Sequence, residues 1–194
     1  MNALSFNNLL QVFTTLIIVT IGVWLIGSNV YAKTSWYDSN WQYRKSHTIQ
    51  GGADAGTNYQ IKLRIEYGSG TDSGDTVYLN SNGNQDFSDL RFTSDDGTTE
   101  LDYWVQKKTD GDFAIVWVEV KDNLNSDQDI YLYYGNSNAS SASDGFATFD
   151  LFDDFEDGSI DSNIWTQKNE SGGSFYEYDG KLEISGCGDI WNKN

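Results

Sequence analysis

Asn58-Tyr-Gln-Ile-Lys-Leu-Arg-Ile-Glu-Tyr67 alternates polar and apolar side chains along its whole length. A period of two puts Tyr59, Ile61, Leu63, Ile65 and Tyr67 on one face of a half-buried β-strand. Working outward, Leu101, Tyr103 and Val105 repeat the pattern, and Ile130, Leu132 and Tyr134 alternate with Tyr131 and Tyr133. Phe113–Val120 is apolar on both faces, as a central strand requires. Shorter candidates are Tyr43–Ile49, Thr76–Leu79 and Leu90–Thr93. Turn clusters such as Gly51-Gly52, Asn82-Gly83-Asn84, Asp95-Asp96-Gly97 and Asp110-Gly111-Asp112 separate them. Seven strands with no amphipathic helix after residue 32 predict an all-β fold, an antiparallel, jelly-roll-like β-sandwich. Trp41, Trp104 and Trp117 are its expected core aromatics.

Charge divides the chain. Residues 1–32 hold no Lys, Arg, Asp or Glu, so the net −17 belongs to the residues from Lys33 onward. That balance excludes a basic nucleic-acid surface. One Cys and one His exclude an internal disulfide and a His/Cys zinc site.

The uncharged head carries the apolar run Leu9–Gly27 and then Val30-Tyr31-Ala32 before Lys33. It predicts an N-terminal hydrophobic helix that acts as a signal peptide or as an uncleaved membrane anchor. Both readings stand. The run is longer than a usual signal core, and no basic residue precedes it. Either way residues 9–27 engage the export translocon and the membrane. The body is then extracellular or at the cell surface, since long downstream domains translocate largely regardless of charge.

Residues 33–136 have the size of one sandwich and 137–148 read as a small polar linker. Residues 149–194 hold too few strands to close a second β domain alone. A truncated gene or fragment is the expectation. Asn138 and Asn169 head glycosylation sequons.

A family pattern runs through these pieces. Trp41-Gln-Tyr-Arg-Lys45, Ser88-Asp-Leu-Arg-Phe92, Leu101-Asp-Tyr-Trp104, Ala114-Ile-Val-Trp-Val118 and Ile130-Tyr-Leu-Tyr-Tyr-Gly-Asn136 occur in order. Over about Trp41–Phe149 the chain resembles a domain-of-unknown-function family, DUF2341, of exported bacterial and archaeal proteins. The resemblance implies a β-sandwich module in large surface proteins and carries no catalytic residues. Phe152-Asp-Asp-Phe155, Asp157-Gly158, Trp165 and Asp179-Gly-Lys-Leu182 resemble the opening strands of concanavalin A-like (LamG-like) jelly-roll domains. In that fold glycan binding and hydrolysis reside on later strands.

Catalysis finds no assembled set. Glycoside hydrolysis needs two carboxylates across a cleft. In Glu177-Tyr-Asp179-Gly-Lys-Leu-Glu183 the Asp-Gly turn would split the acids between two strands. His47 has Ser46 as neighbour on the opposite face, and no Gly-x-Ser-x-Gly elbow occurs. Asp153, Asp154, Glu156, Asp157 and Asp161 are the candidate ligands of a structural calcium, because hard oxygen donors suit that ion. Their spacing is not that of an EF-hand. Trp36, Trp104, Tyr131 and Tyr133 are the candidate glycan-stacking rings. The expected function is a noncatalytic exported cell-surface module for adhesion or envelope architecture. Its partner would be a polysaccharide or a surface protein. The alternatives are a carbohydrate-binding module, or the noncatalytic front end of a secreted glycoside hydrolase.

Overall fold

The computed structural model describes residues 35–169, 172–186 and 188–193. The apolar head, with its predicted helix and its signal or anchor role, lies outside the described residues. So does Cys187.

Eight strands build the sandwich. They are β1 (Tyr43–Ile49), β2 (Tyr59–Glu66), β3 (Thr76–Tyr78), β4 (Arg91–Thr93), β5 (Glu100–Leu101), β6 (Tyr103–Thr109), β7 (Phe113–Val120) and β8 (Gln128–Tyr134). One sheet has the order β1-β8-β4-β5, the other β3-β2-β7-β6. Pairing is antiparallel throughout both sheets except between β2 and β3, which run parallel from Arg64↔Thr76 to Glu66↔Tyr78. The count exceeds the seven expected because Glu100–Gln106 is two strands. Leu101 pairs with Phe92 in the first sheet, and Tyr103 pairs with Val118 in the second. Asp102 is the corner, its carbonyl accepting from the Glu119 N–H at 2.9 Å. Both Leu101 and Tyr103 still point into the core, so alternation survives the change of sheet.

The core follows the period-two pattern. On β7, Ala114, Val116, Val118 and Val120 are fully buried against Ile130, Leu132 and Tyr134 of β8 and their neighbours. Each large aliphatic side chain so buried contributes about 1.5–3 kcal/mol relative to exposure. Trp41 is buried as expected, its Nε1–H donating to the Asp89 carbonyl at 2.6 Å. Trp104 and Trp117 are corrected. They form a cross-strand pair on the outer face of the second sheet, because inward Tyr103, Val116 and Val118 turn their chain neighbours outward.

Part of each sheet is covered by the chain itself. Ser35–Trp41 straps the first sheet. Residues 137–148, expected as a linker, lie along β6, an edge strand. The Val105 N–H donates to Ser143 Oγ (2.8 Å), the Asp144 N–H to the Tyr103 carbonyl (2.8 Å) and the Ala142 N–H to the Tyr103 hydroxyl (3.2 Å). These contacts occupy backbone groups that an edge strand would otherwise expose. One helical turn, α1 (Gly145–Thr148), follows, N-capped by the Asp144 carboxylate. Beyond it, β9 (Trp165–Asn169) pairs with β12 (Gly188–Asn192), and β10 (Ser174–Glu177) with β11 (Leu182–Ser185).

Candidate functional site

The predicted site residues fall into two places. Trp36, Tyr131 and Tyr133 meet on the strapped sheet, and Trp104 lies on the other. Tyr131 and Tyr133 are two apart on β8 and share its outer face, 6.4 Å between ring centroids. Trp36 is held by its Nε1–H, which donates to the carbonyls of Asp38 (3.0 Å) and Trp41 (2.9 Å). Its ring meets Tyr133 edge-on at 5.4 Å. Arg44, on β1, places its guanidinium 4.3 Å from the Tyr131 ring centre and 5.0 Å from that of Trp36. It also donates to the Ser35 carbonyl at 3.0 Å and the Tyr133 hydroxyl at 3.3 Å. Tyr133 is wholly buried, its hydroxyl donating to the Gly97 carbonyl at 2.9 Å, so it offers no ring face to a ligand. The guanidinium covers one face of the Tyr131 ring and lies against Trp36, which stays 43% exposed. Arg44 was not singled out from sequence; its place on the outer face of β1, opposite Tyr133, is the signal that could have found it.

Trp104 stands in a different setting. Phe152 meets it edge-on at 4.8 Å and Phe149 at 6.0 Å, while Phe149 also contacts Trp117 at 5.9 Å. α1 positions these rings. The Gln60 side chain donates to the Thr148 carbonyl at 2.9 Å, and Gly145 leaves no room for a Cβ, which would lie 2.1 Å from the Phe152 ring. The chain then turns along β6 and encloses a groove of about 490 Å³. Trp104, Val105 and Gln106 form one wall; Asp153, Asp154, Phe155, Glu156, Asp179 and Gly180 form the other. Three wall residues, Phe155 (φ 55°), Asp179 (φ 52°) and Gly180 (φ 66°), adopt the left-handed conformation. The groove thus joins one glycan-stacking candidate to three of the calcium candidates.

The acids themselves are engaged locally. Asp153 accepts from the Phe155 N–H (3.0 Å) and from Trp165 Nε1–H (2.6 Å). Asp157 accepts from the Ser159 N–H at 2.8 Å and Asp161 from the Asn163 N–H at 2.8 Å. Asp154 accepts a longer bond, 3.4 Å, from the Glu156 N–H. Among the described residues no three Asp, Glu, His or Cys side chains converge to hold a metal ion. Four of the five calcium candidates, Asp153, Asp154, Asp157 and Asp161, accept from an N–H two residues further along the chain. Short Asx turns spread them along the loop.

Glu177, at the end of β10, reaches the Gly158 turn. Its carboxylate accepts from the N–H groups of Gly158 (3.0 Å) and Ser159 (3.1 Å). Loss of hydration, a hydrogen bond shared with Asp157, and the charges of Asp153 and Asp157 push its carboxyl above the usual range. The Ser159 N–H and hydroxyl hold Asp157 below it. The Asp179-Gly180 turn divides the other acids as expected, with both residues at positive φ and Tyr178 and Lys181 exchanging backbone hydrogen bonds. Glu183, on β11, accepts from the Tyr176 hydroxyl at 2.8 Å. His47 is half-buried on β1 near Asp72, Asp75 and Asp129; burial lowers its pKa, and those charges oppose the shift.

No curated protein and no solved structure matches this chain. Residues 86–168, from the loop before β4 through the groove wall into β9, match the family described as Domain of unknown function (DUF2341).

Proposed function

We propose that this protein is a noncatalytic exported module of the cell surface, used for adhesion or envelope architecture. The observation that carries the reading is the engagement of the acids. Asp153, Asp157 and Asp161 are bonded to N–H groups of their own turns, and Glu177 accepts from the Gly158 and Ser159 N–H groups. Leu9–Gly27, followed by Val30-Tyr31-Ala32, supports export as a signal peptide or anchor. The antiparallel pairs β9/β12 and β10/β11 agree with opening strands of a concanavalin-like domain. The test is direct: the purified segment Lys33–Asn194 should release no reducing sugar from common polysaccharides, and protease treatment of intact cells should remove the body. Hydrolysis, or complete protection inside intact cells, would reject the reading.

A second reading, carbohydrate binding, is favoured by one feature, the Trp104 groove. A half-buried ring beside Gln106 and acidic acceptors suits a sugar's apolar face and its hydroxyls. Affinity electrophoresis in polysaccharide gels tests it: retardation that Trp104→Ala abolishes supports it, and unretarded migration in every gel counts against it.

A further inference from the structure

We propose that the open edge of β2 is a docking strip for one extended strand of a partner polypeptide carrying lysine or arginine. β7 pairs with β2 along all of Tyr59–Glu66, whereas β3 pairs only with Arg64–Glu66. The hydrogen bonds show which backbone groups face outward. The Arg64 N–H donates to the Asp75 carbonyl and the Glu66 carbonyl accepts from the Leu79 N–H, each at 2.8 Å. Even-numbered residues of β2 therefore turn away from β7, and by the same alternation Gln60 and Lys62 present their N–H and C=O outward. Among the described residues no strand pairs with them there. A row of alternating donors and acceptors along an edge is the recognition chemistry of another strand.

Beneath that edge lies a cavity of about 420 Å³ whose lining includes His47, Ile49, Ile61, Leu63 and Asp75. It exists because β1 and β2 are joined across the sheets while β3 is too short to close the seam. Where β3 is present, Val77 is buried in the core and Lys45 spans to Asp72 at 2.8 Å. β3 is thus a template for the occupant: a parallel strand whose middle side chain enters the seam. A donated strand in line with β3 would bond Gln60 and Lys62 and lay an apolar side chain on Ile49 and Ile61. The strip left unpaired on the β3 side is Tyr59–Leu63, about 17 Å of strand.

Charge selects the partner. The groups around the seam are Lys45 and His47 on β1, Lys62 and Arg64 on β2, Asp72 and Asp75 before β3, and Asp129 on β8. Lys45 is engaged by Asp72 and Arg64 by Glu66. Lys62 lies on the outer face of its sheet, opposite Trp117. Among the described residues the Asp75 carboxylate accepts one long hydrogen bond, from the Thr76 hydroxyl at 3.4 Å, and faces His47 at the end of the strip. The net −17 of the chain disfavours an acidic strand and a second copy of itself.

The experiment is hydrogen–deuterium exchange by mass spectrometry on the full chain in mild detergent. The probe is acetyl-(Lys-Val)3-Lys-amide at millimolar concentration, with the Glu-for-Lys peptide as control. The expected result is about tenfold slower exchange confined to Tyr59–Leu63 with the lysine peptide alone. Lys62→Pro, which removes an outward N–H while the β7-facing groups remain, should abolish it. Asp75→Asn, which keeps the backbone bond to Arg64, should weaken the preference for the lysine peptide. Absence of slowing, equal slowing by both peptides, or slowing centred on another edge would overturn the proposal.

Discussion

Asp89 has no solvent exposure, and its carboxylate is matched by three backbone N–H groups: Asn84 at 3.0 Å, Gly135 at 2.6 Å and Asn136 at 3.3 Å. Its carbonyl also receives Trp41 Nε1–H, so one residue ties the loop before β4 to the end of β8 and to the strap. Each buried donor left unpaired costs about 1–3 kcal/mol. Asp89→Ala is expected to lose at least about 3 kcal/mol, read as a lower urea midpoint at constant slope; Asp89→Asn should lose less. Gly97 sits at φ +76° with the Ser35 carbonyl oxygen 2.0 Å from where a Cβ would lie. Gly97→Ala should therefore displace the strap and red-shift tryptophan fluorescence while far-ultraviolet dichroism stays unchanged. Neither role was legible in sequence. Asp89 lies in Ser-Asp-Leu-Arg, a string that reads as a strand entry, and its partners are more than forty residues away at Gly135 and Asn136. Tyr131 and Tyr133 were placed correctly on one face, but nothing local reveals Arg44 among them.

At the scale of elements, the strands were the most legible feature. Tyr43–Ile49 and Phe113–Val120 were read with the bounds they have in the structure, because alternation is a local property of each strand. The division at Asp102 was not legible, since Leu101 and Tyr103 keep one alternation while they change sheets. Nor was the seat of α1. Phe149 and Phe152 cover Trp104 and Trp117 only because Gly145 and Asp144 turn the chain there. Phe149→Ala and Phe152→Ala should each cost about 1–3 kcal/mol, below the range for fully buried Phe because these rings are partly exposed. Thermal melts of these two variants and of Gly145→Ala should show all three destabilised, the last through its clash with Phe152.

For the whole molecule, titration bounds the stable range. Hydrogen bonds from Ser88 hold Asp86 below the usual carboxylate range, those from Thr99 and Thr98 hold Asp96 there, and Ser159 does the same for Asp157. A depressed pKa contributes stability that is present above the ordinary carboxylate value and is lost as pH falls through the folded one. Glu177 has the opposite sign. Its raised pKa makes the native state bind the proton more readily, so its contribution is largest at low pH and fades as pH rises through the folded value. At the alkaline end, burial and the Glu100 hydrogen bond push Tyr37 up to about 12, and burial and Asp72 do the same for Tyr134. The unfolded chain ionises these hydroxyls near 10, so stability falls between about 10 and 12. Thermal melts across pH should show both limbs, and Tyr134→Phe should flatten the alkaline one. The sequence by itself determined the all-β class, the inward faces of the strands and the acidic body, since alternation and charge are properties of neighbouring residues. Only the tertiary structure decided that Arg44 occupies the Tyr131 ring face, that Trp104 meets Asp153 and Glu156 in a groove, and that β3 leaves part of β2 uncovered. Those outcomes depend on which distant segments are brought together, and no local pattern encodes them.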